Sequence, residues 1–166
     1  MTKHIISGLF LSLFSLFSNL AIADMYTLTV KVTVVEKTCD IYGNGGRNQP
    51  ITVDMGDLII KKIDGQQYET EIPYQLDCTD AANNPALKMK FDGTQMAGQE
   101  ANVLRTSVDN LGLALKMGSS DMTIGKWHLF NYSAHPRLSV TPIASGTGGI
   151  NDEQMTASAT LSVEYQ

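Results

Sequence analysis

The stretch 25–35 reads MYTLTVKVTVV, with Leu28, Val30, Val32 and Val34 on alternate positions and Thr29, Lys31 and Thr33 between them. An extended chain points successive side chains to opposite faces, so the pattern predicts a β-strand with four aliphatic groups on one side. Burying all four is worth roughly 6 to 12 kcal/mol, at about 1.5 to 3 kcal/mol each, which rivals the net stability of a whole domain. That face must be covered somewhere. It either opens the chain's own sandwich or docks into a neighbouring molecule by strand addition.

The two-residue period recurs downstream. After a turn-rich run at 40–48, DIYGNGGRN, Ile51 and Val53 restart a short strand. Thr70, Ile72, Tyr74, Leu76 and Cys78 share one face of the next, in which Pro73 marks an edge or a bulge. Leu87, Met89 and Phe91 alternate, as do Leu111, Leu113, Leu115 and Met117; Ile124, Trp127, Leu129 and Phe130 do so less regularly, and Leu138 and Val140 continue the series. Met155, Ala157, Ala159, Leu161, Val163 and Tyr165 then fall on one face without interruption. A 3.6-residue period is not sustained over three turns anywhere, although 97–110 has room for a short turn of helix. Short strands separated by turns every eight to twelve residues or so predict an all-β sandwich of immunoglobulin-like kind, as one domain without internal repeats.

Targeting signals change where that domain begins. Lys3 and His4 precede an apolar run, and Ala21-Ile22-Ala23 has the small-x-small form that signal peptidase reads, so residues 1–23 are expected to be a secretory leader. Without the leader, 11 basic residues face 17 acidic ones. That balance argues against a nucleic-acid surface and against attachment to anionic lipid. In an exported chain, the only two cysteines, Cys39 and Cys78, are expected to form one disulfide.

Catalytic and metal-binding chemistry is expected to be absent. His128 and His135 have no Cys or carboxylate at ligand spacing, Ser133 lies on no nucleophile elbow, and Gly43, Gly45 and Gly46 precede neither a Lys-Ser pair nor a helix. Asp54 with Asp57, and Asp152 with Glu153, read as turn caps and solvated charge. Trp127, Tyr132 and Arg137 are the residues that a glycan-binding surface would use.

Several segments together resemble the pilin subunits of chaperone-usher fimbriae, and the minor adaptor subunits in particular. They are the alternating strand just before Cys39, the run from TCDIYGNGG to ITVDMG, the segment NVLRTSVDNLGLALKM at 102–117, and the closing MTASATLSVEYQ with its penultimate Tyr165. The resemblance implies an immunoglobulin-like sandwich that lacks its last strand and is completed by a donor strand from a partner. It implies a leader at 1–23, a donor-strand extension at 24–37 and a pilin domain at 38–166. Leu28, Val30, Val32 and Val34 would be the donor residues. Met155, Ala157, Ala159, Leu161, Val163 and Tyr165 would line the acceptor groove, and Gln166 would meet the chaperone. The implied partners are a periplasmic chaperone, an outer-membrane usher and neighbouring subunits, with no cofactor. The implied destination is a cell-surface fimbrium, reached through the periplasm, in which the chain is a non-enzymatic tip adaptor supporting adhesion; a single-domain glycan-binding adhesin is the alternative. Val32 stands where donor strands of this family often carry Gly, which implies a partner with a deeper pocket.

Overall fold

Alternation becomes pairing along most of the chain. The computed structural model describes residues 38–146, 149–150 and 154–166. These lie in the compact unit Val35–Gln166. The expected leader and the donor residues Leu28, Val30, Val32 and Val34 lie outside the described residues.

In chain order the strands are β1 (Cys39–Tyr42), β2 (Thr70–Glu71), β3 (Gln75–Cys78), β4 (Ala86–Asp92), β5 (Val103–Arg105), β6 (Leu111–Met117), β7 (Ser120–Asp121), β8 (His128–Asn131), β9 (Leu138–Ala144) and β10 (Thr160–Tyr165). Strands β1 and β3 form an antiparallel pair with Cys39 opposite Cys78, and the disulfide joins these two residues. A three-stranded sheet runs β10-β4-β8; a larger sheet runs β2-β9-β6-β5, with β7 on β6. All these ladders are antiparallel.

The core lies between these layers. Leu87, Met89 and Phe91 from β4 meet Leu113 and Leu115 from β6, Leu138 and Val140 from β9, and Ile72, Leu104, Met122 and Phe130. Apart from Leu104 and Met122, these are inward positions that the two-residue period marks. A smaller cluster of Met96, Val103 and Ala114, with Ile143 packed on it, covers the opposite face of the larger sheet.

Two expected elements differ in detail. The run through Tyr68–Cys78 is two strands rather than one: β2 pairs with β9, whereas β3 pairs with β1, and the switch of sheets occurs around Pro73. Proline has no amide hydrogen to give to a ladder, so the chain changes partner there. The stretch 97–110 forms β5 with flanking turns instead of a helical turn. There the buried Val103 and Leu104 are held by pairing with Ala114 and Leu113, which overrides any local preference.

Candidate functional site

The last strand sits at an edge. Strand β10 pairs through one side with β4, and among the described residues no strand pairs with its other side. The register sets Leu161 opposite Phe91, Val163 opposite Met89 and Tyr165 opposite Leu87. The three β4 side chains are buried, Leu87 and Met89 completely, but their three partners on β10 are only half-buried. Leu87 and Met89, which have β8 as well as β10 beside them, are completely covered, whereas their partners on β10 are not.

A second extended segment approaches the same core. Residues 51–55 alternate in exposure, with Ile51, Val53 and Met55 packed against the core and Thr52 and Asp54 outward. The turn closed by the Gly46 amide on the Gly43 carbonyl brings Ile51 against Gly43, where a Cβ would approach it to 3.2 Å. Ile51 and Val53 were expected to form a short strand, and their alternation is present. Among the described residues, however, the segment belongs to no ladder. The extended segment 51–55 and strand β10 thus pack apolar residues against the same core, and among the described residues neither the segment nor the outer edge of β10 is paired in a ladder.

Both ends of β10 are fastened. At its C-terminal end the Tyr165 hydroxyl donates to the Thr38 carbonyl at 3.4 Å and accepts from the Asp80 amide at 3.3 Å. The Gln166 side-chain amide donates to the Leu87 carbonyl at 2.7 Å. Ahead of the strand, the Ser107 amide donates to the Thr156 carbonyl at 2.8 Å, and the Thr156 amide donates to the Ser107 hydroxyl at 2.9 Å. Ladder residues begin only at Thr160; Met155 is half-buried, whereas Ala157 and Ala159 are exposed. Gln166 is likewise exposed.

The residues considered for a glycan surface each have partners of their own. Trp127 lies beneath the ammonium groups of Lys88 and Lys90, 4.8 and 4.9 Å from its ring centre. Tyr132 packs on the core with its hydroxyl donating to the Leu76 carbonyl, and Arg137 pairs with Glu69 and Glu71. Among the described residues no group of His, Cys, Asp and Glu is arranged to hold a metal.

Comparison with known proteins gives this geometry a context. No protein-family model matches the chain. A fimbrial-like protein of Escherichia coli (strain K12), YfcQ, is 29% identical over 163 residues, spanning 95% of this chain and 98% of the relative. The Escherichia coli fimbrial adapter PapF is 25% identical, spanning 95% of this chain and 97% of the relative. A solved structure of the P pilus adaptor subunit PapF superposes with a TM-score of 0.58 at 26% identity, over 77% of this chain and 95% of that one. The chain is a homologue of fimbrial pilins. The P pilus rod subunit PapA has the same fold, with a TM-score of 0.60 at 14% identity over 86% of this chain and 100% of that one. The chain shares with these pilins the fold of an incomplete immunoglobulin-like sandwich. Leu161, Val163 and Tyr165 share, as their alternation predicts, the face that packs against the core. The alternation of Ile51, Val53 and Met55 is too short a run to reveal in the sequence that they pack against the same core.

Proposed function

We propose that the chain is a structural minor subunit of a chaperone-usher fimbria, of the adaptor kind, that polymerises by donor-strand exchange and so supports adhesion of the cell that carries it. The observation that carries this reading is the contrast along the β4–β10 ladder, where Leu87, Met89 and Phe91 are buried and Tyr165, Val163 and Leu161 are half-covered. A strand added at that edge supplies main-chain hydrogen bonds for affinity and inserts every second side chain into the core. In the periplasm a chaperone would supply it; in the fibre, the N-terminal segment of the next subunit would. Residues 24–37 of this chain would in turn fill the groove of a neighbour, with Leu28, Val30, Val32 and Val34 facing inward. Contacts of this head-to-tail kind do not close on themselves and build a linear polymer. No catalytic step is part of this role.

The reading is tested by expressing the secreted chain with Val163→Asp together with the fimbrial assembly genes of its source. Incorporation into shed fimbriae is expected to fall to background. A conservative Val163→Ile change, which keeps the apolar face, should retain it. Normal incorporation of the Val163→Asp chain would contradict the proposal.

A further inference from the structure

The groove changes character just beyond the start of β10. Beside residues 156–158 lies a shallow hollow of about 330 Å³, lined by Arg105 and by the hydroxyl-bearing Thr94, Thr106, Ser107, Thr156 and Ser158. Arg105 is exposed, and among the described residues no carboxylate pairs with it. Arg47 and Arg137, by contrast, each pair with two carboxylates. The walls of the hollow are fixed: Thr106 Oγ1 donates to the Leu111 carbonyl at 2.7 Å and accepts from the Val108 amide at 3.1 Å, while Ser107 clamps Thr156. A guanidinium with fork-like donors above a rim of hydroxyls suits a carboxylate.

We infer that this hollow receives an acidic side chain carried by the incoming donor strand, two positions beyond its last apolar residue; the inference rests on the strand-accepting reading of β10. The alternation of 28–34 continues in sequence to Glu36, which has the same parity as Leu28, Val30, Val32 and Val34 and so shares their face. The described ladders are all antiparallel, and a strand added to β10 in that sense must set its even residues opposite the inward odd ones. With Leu28 opposite Tyr165, Val30 opposite Val163, Val32 opposite Leu161 and Val34 opposite Ala159, Glu36 comes opposite Ala157, which lines the same hollow. The apolar floor ends there, and Arg105 takes its place. The hollow would act as a register stop, because a slip by two residues brings Val34 or Thr38 to the cation in place of the acid.

The test uses the full secreted chain and labelled peptides of residues 24–37, one native and one carrying Glu36→Gln, with affinity read by fluorescence anisotropy. At low ionic strength the native peptide is expected to bind about five-fold more tightly, the upper end for a solvent-accessible pair. That preference should shrink with added salt, vanish in Arg105→Gln and survive in Arg105→Lys. Equal affinities of the two peptides for the unaltered chain would overturn the inference while leaving the groove itself standing. Binding of neither peptide would also overturn the inference, while the strand-accepting edge is judged separately by the incorporation of the Val163→Asp chain. The peptide substitution needs no altered protein, so misfolding of an Arg105 variant cannot mask the result.

Discussion

Val163 stands directly opposite Met89 in the β4–β10 ladder, yet Met89 is completely buried and Val163 is half-covered. The difference is one of neighbours. Met89 has β10 on one side and β8 on the other, where it pairs with His128. Val163 has β4 on one side and, among the described residues, no strand on the other.

The fastening of β10 should be measurable. Tyr165→Phe removes the hydroxyl that bridges the Thr38 carbonyl and the Asp80 amide. The expected loss is about 1 kcal/mol, the usual net worth of one or two such bonds. It is to be read as a lower urea midpoint with an unchanged slope. A midpoint equal to that of the unaltered chain would show that the bridge contributes nothing.

The disulfide should account for a larger share. Joining Cys39 to Cys78 closes a loop spanning 39 positions, and the chain-entropy account assigns such a loop about 4 kcal/mol. Changing both cysteines to serine is therefore expected to lower stability by about that amount in denaturant titrations. A loss below about 1 kcal/mol would mean that the unfolded chain is already restricted near this pair.

Close packing at one glycine makes a third expectation. A Cβ at Gly112 would lie 2.6 Å from Val103 Cγ1 and 2.7 Å from Met96 Sδ, in the small cluster on the outer face of the larger sheet. Gly112→Ala is expected to cost about 1 to 3 kcal/mol, as overpacking generally does. Gly118→Ala meets no neighbouring atom, so any loss there would come from its positive φ of 62° instead.

Alkaline pH provides a fourth. Burial raises the Tyr74 hydroxyl from its ordinary value near 10 to about 12, and the hydroxyl donates to the Pro136 carbonyl. The folded state thus holds a proton that the unfolded state releases between pH 10 and 12, so this contribution is complete below pH 10 and disappears as pH rises through 12. Tyr74→Phe should lower stability at neutral pH through loss of the hydrogen bond, and should flatten the decline between pH 10 and 12. An equally steep decline in both proteins would assign that loss to other groups.

Much of this architecture was legible in the residues. Leu87, Met89 and Phe91 alternate because one face of β4 is buried and the other is not, so period alone marked them as core; in β6 the same period marked Leu113 and Leu115, although the residues between them are buried as well. The division at Pro73 was visible as an interruption, but not the change of sheet, which depends on pairing partners distant in sequence. Strand β10 is shorter than its pattern: Ala157 and Ala159 keep the parity of Leu161 and Val163, but the chain at 154–156 is held by Ser107 rather than by β4. Arg105 gave no signal of its own. Only the meeting of β5 with the approach to β10 puts its guanidinium beside hydroxyls from three separate stretches.

The central claim is that the edge of β10 accepts a strand. Thermal unfolding of the secreted chain, with and without the 24–37 peptide, tests it most directly. At a hundred-fold excess over its dissociation constant the peptide should add about 2.7 kcal/mol and raise the midpoint by on the order of 10 °C. The same peptide carrying Val30→Asp and Val32→Asp should leave the midpoint where it was. A midpoint that ignores the native peptide and the N-terminal donor peptides of the neighbouring subunits alike, at every concentration, would contradict the account.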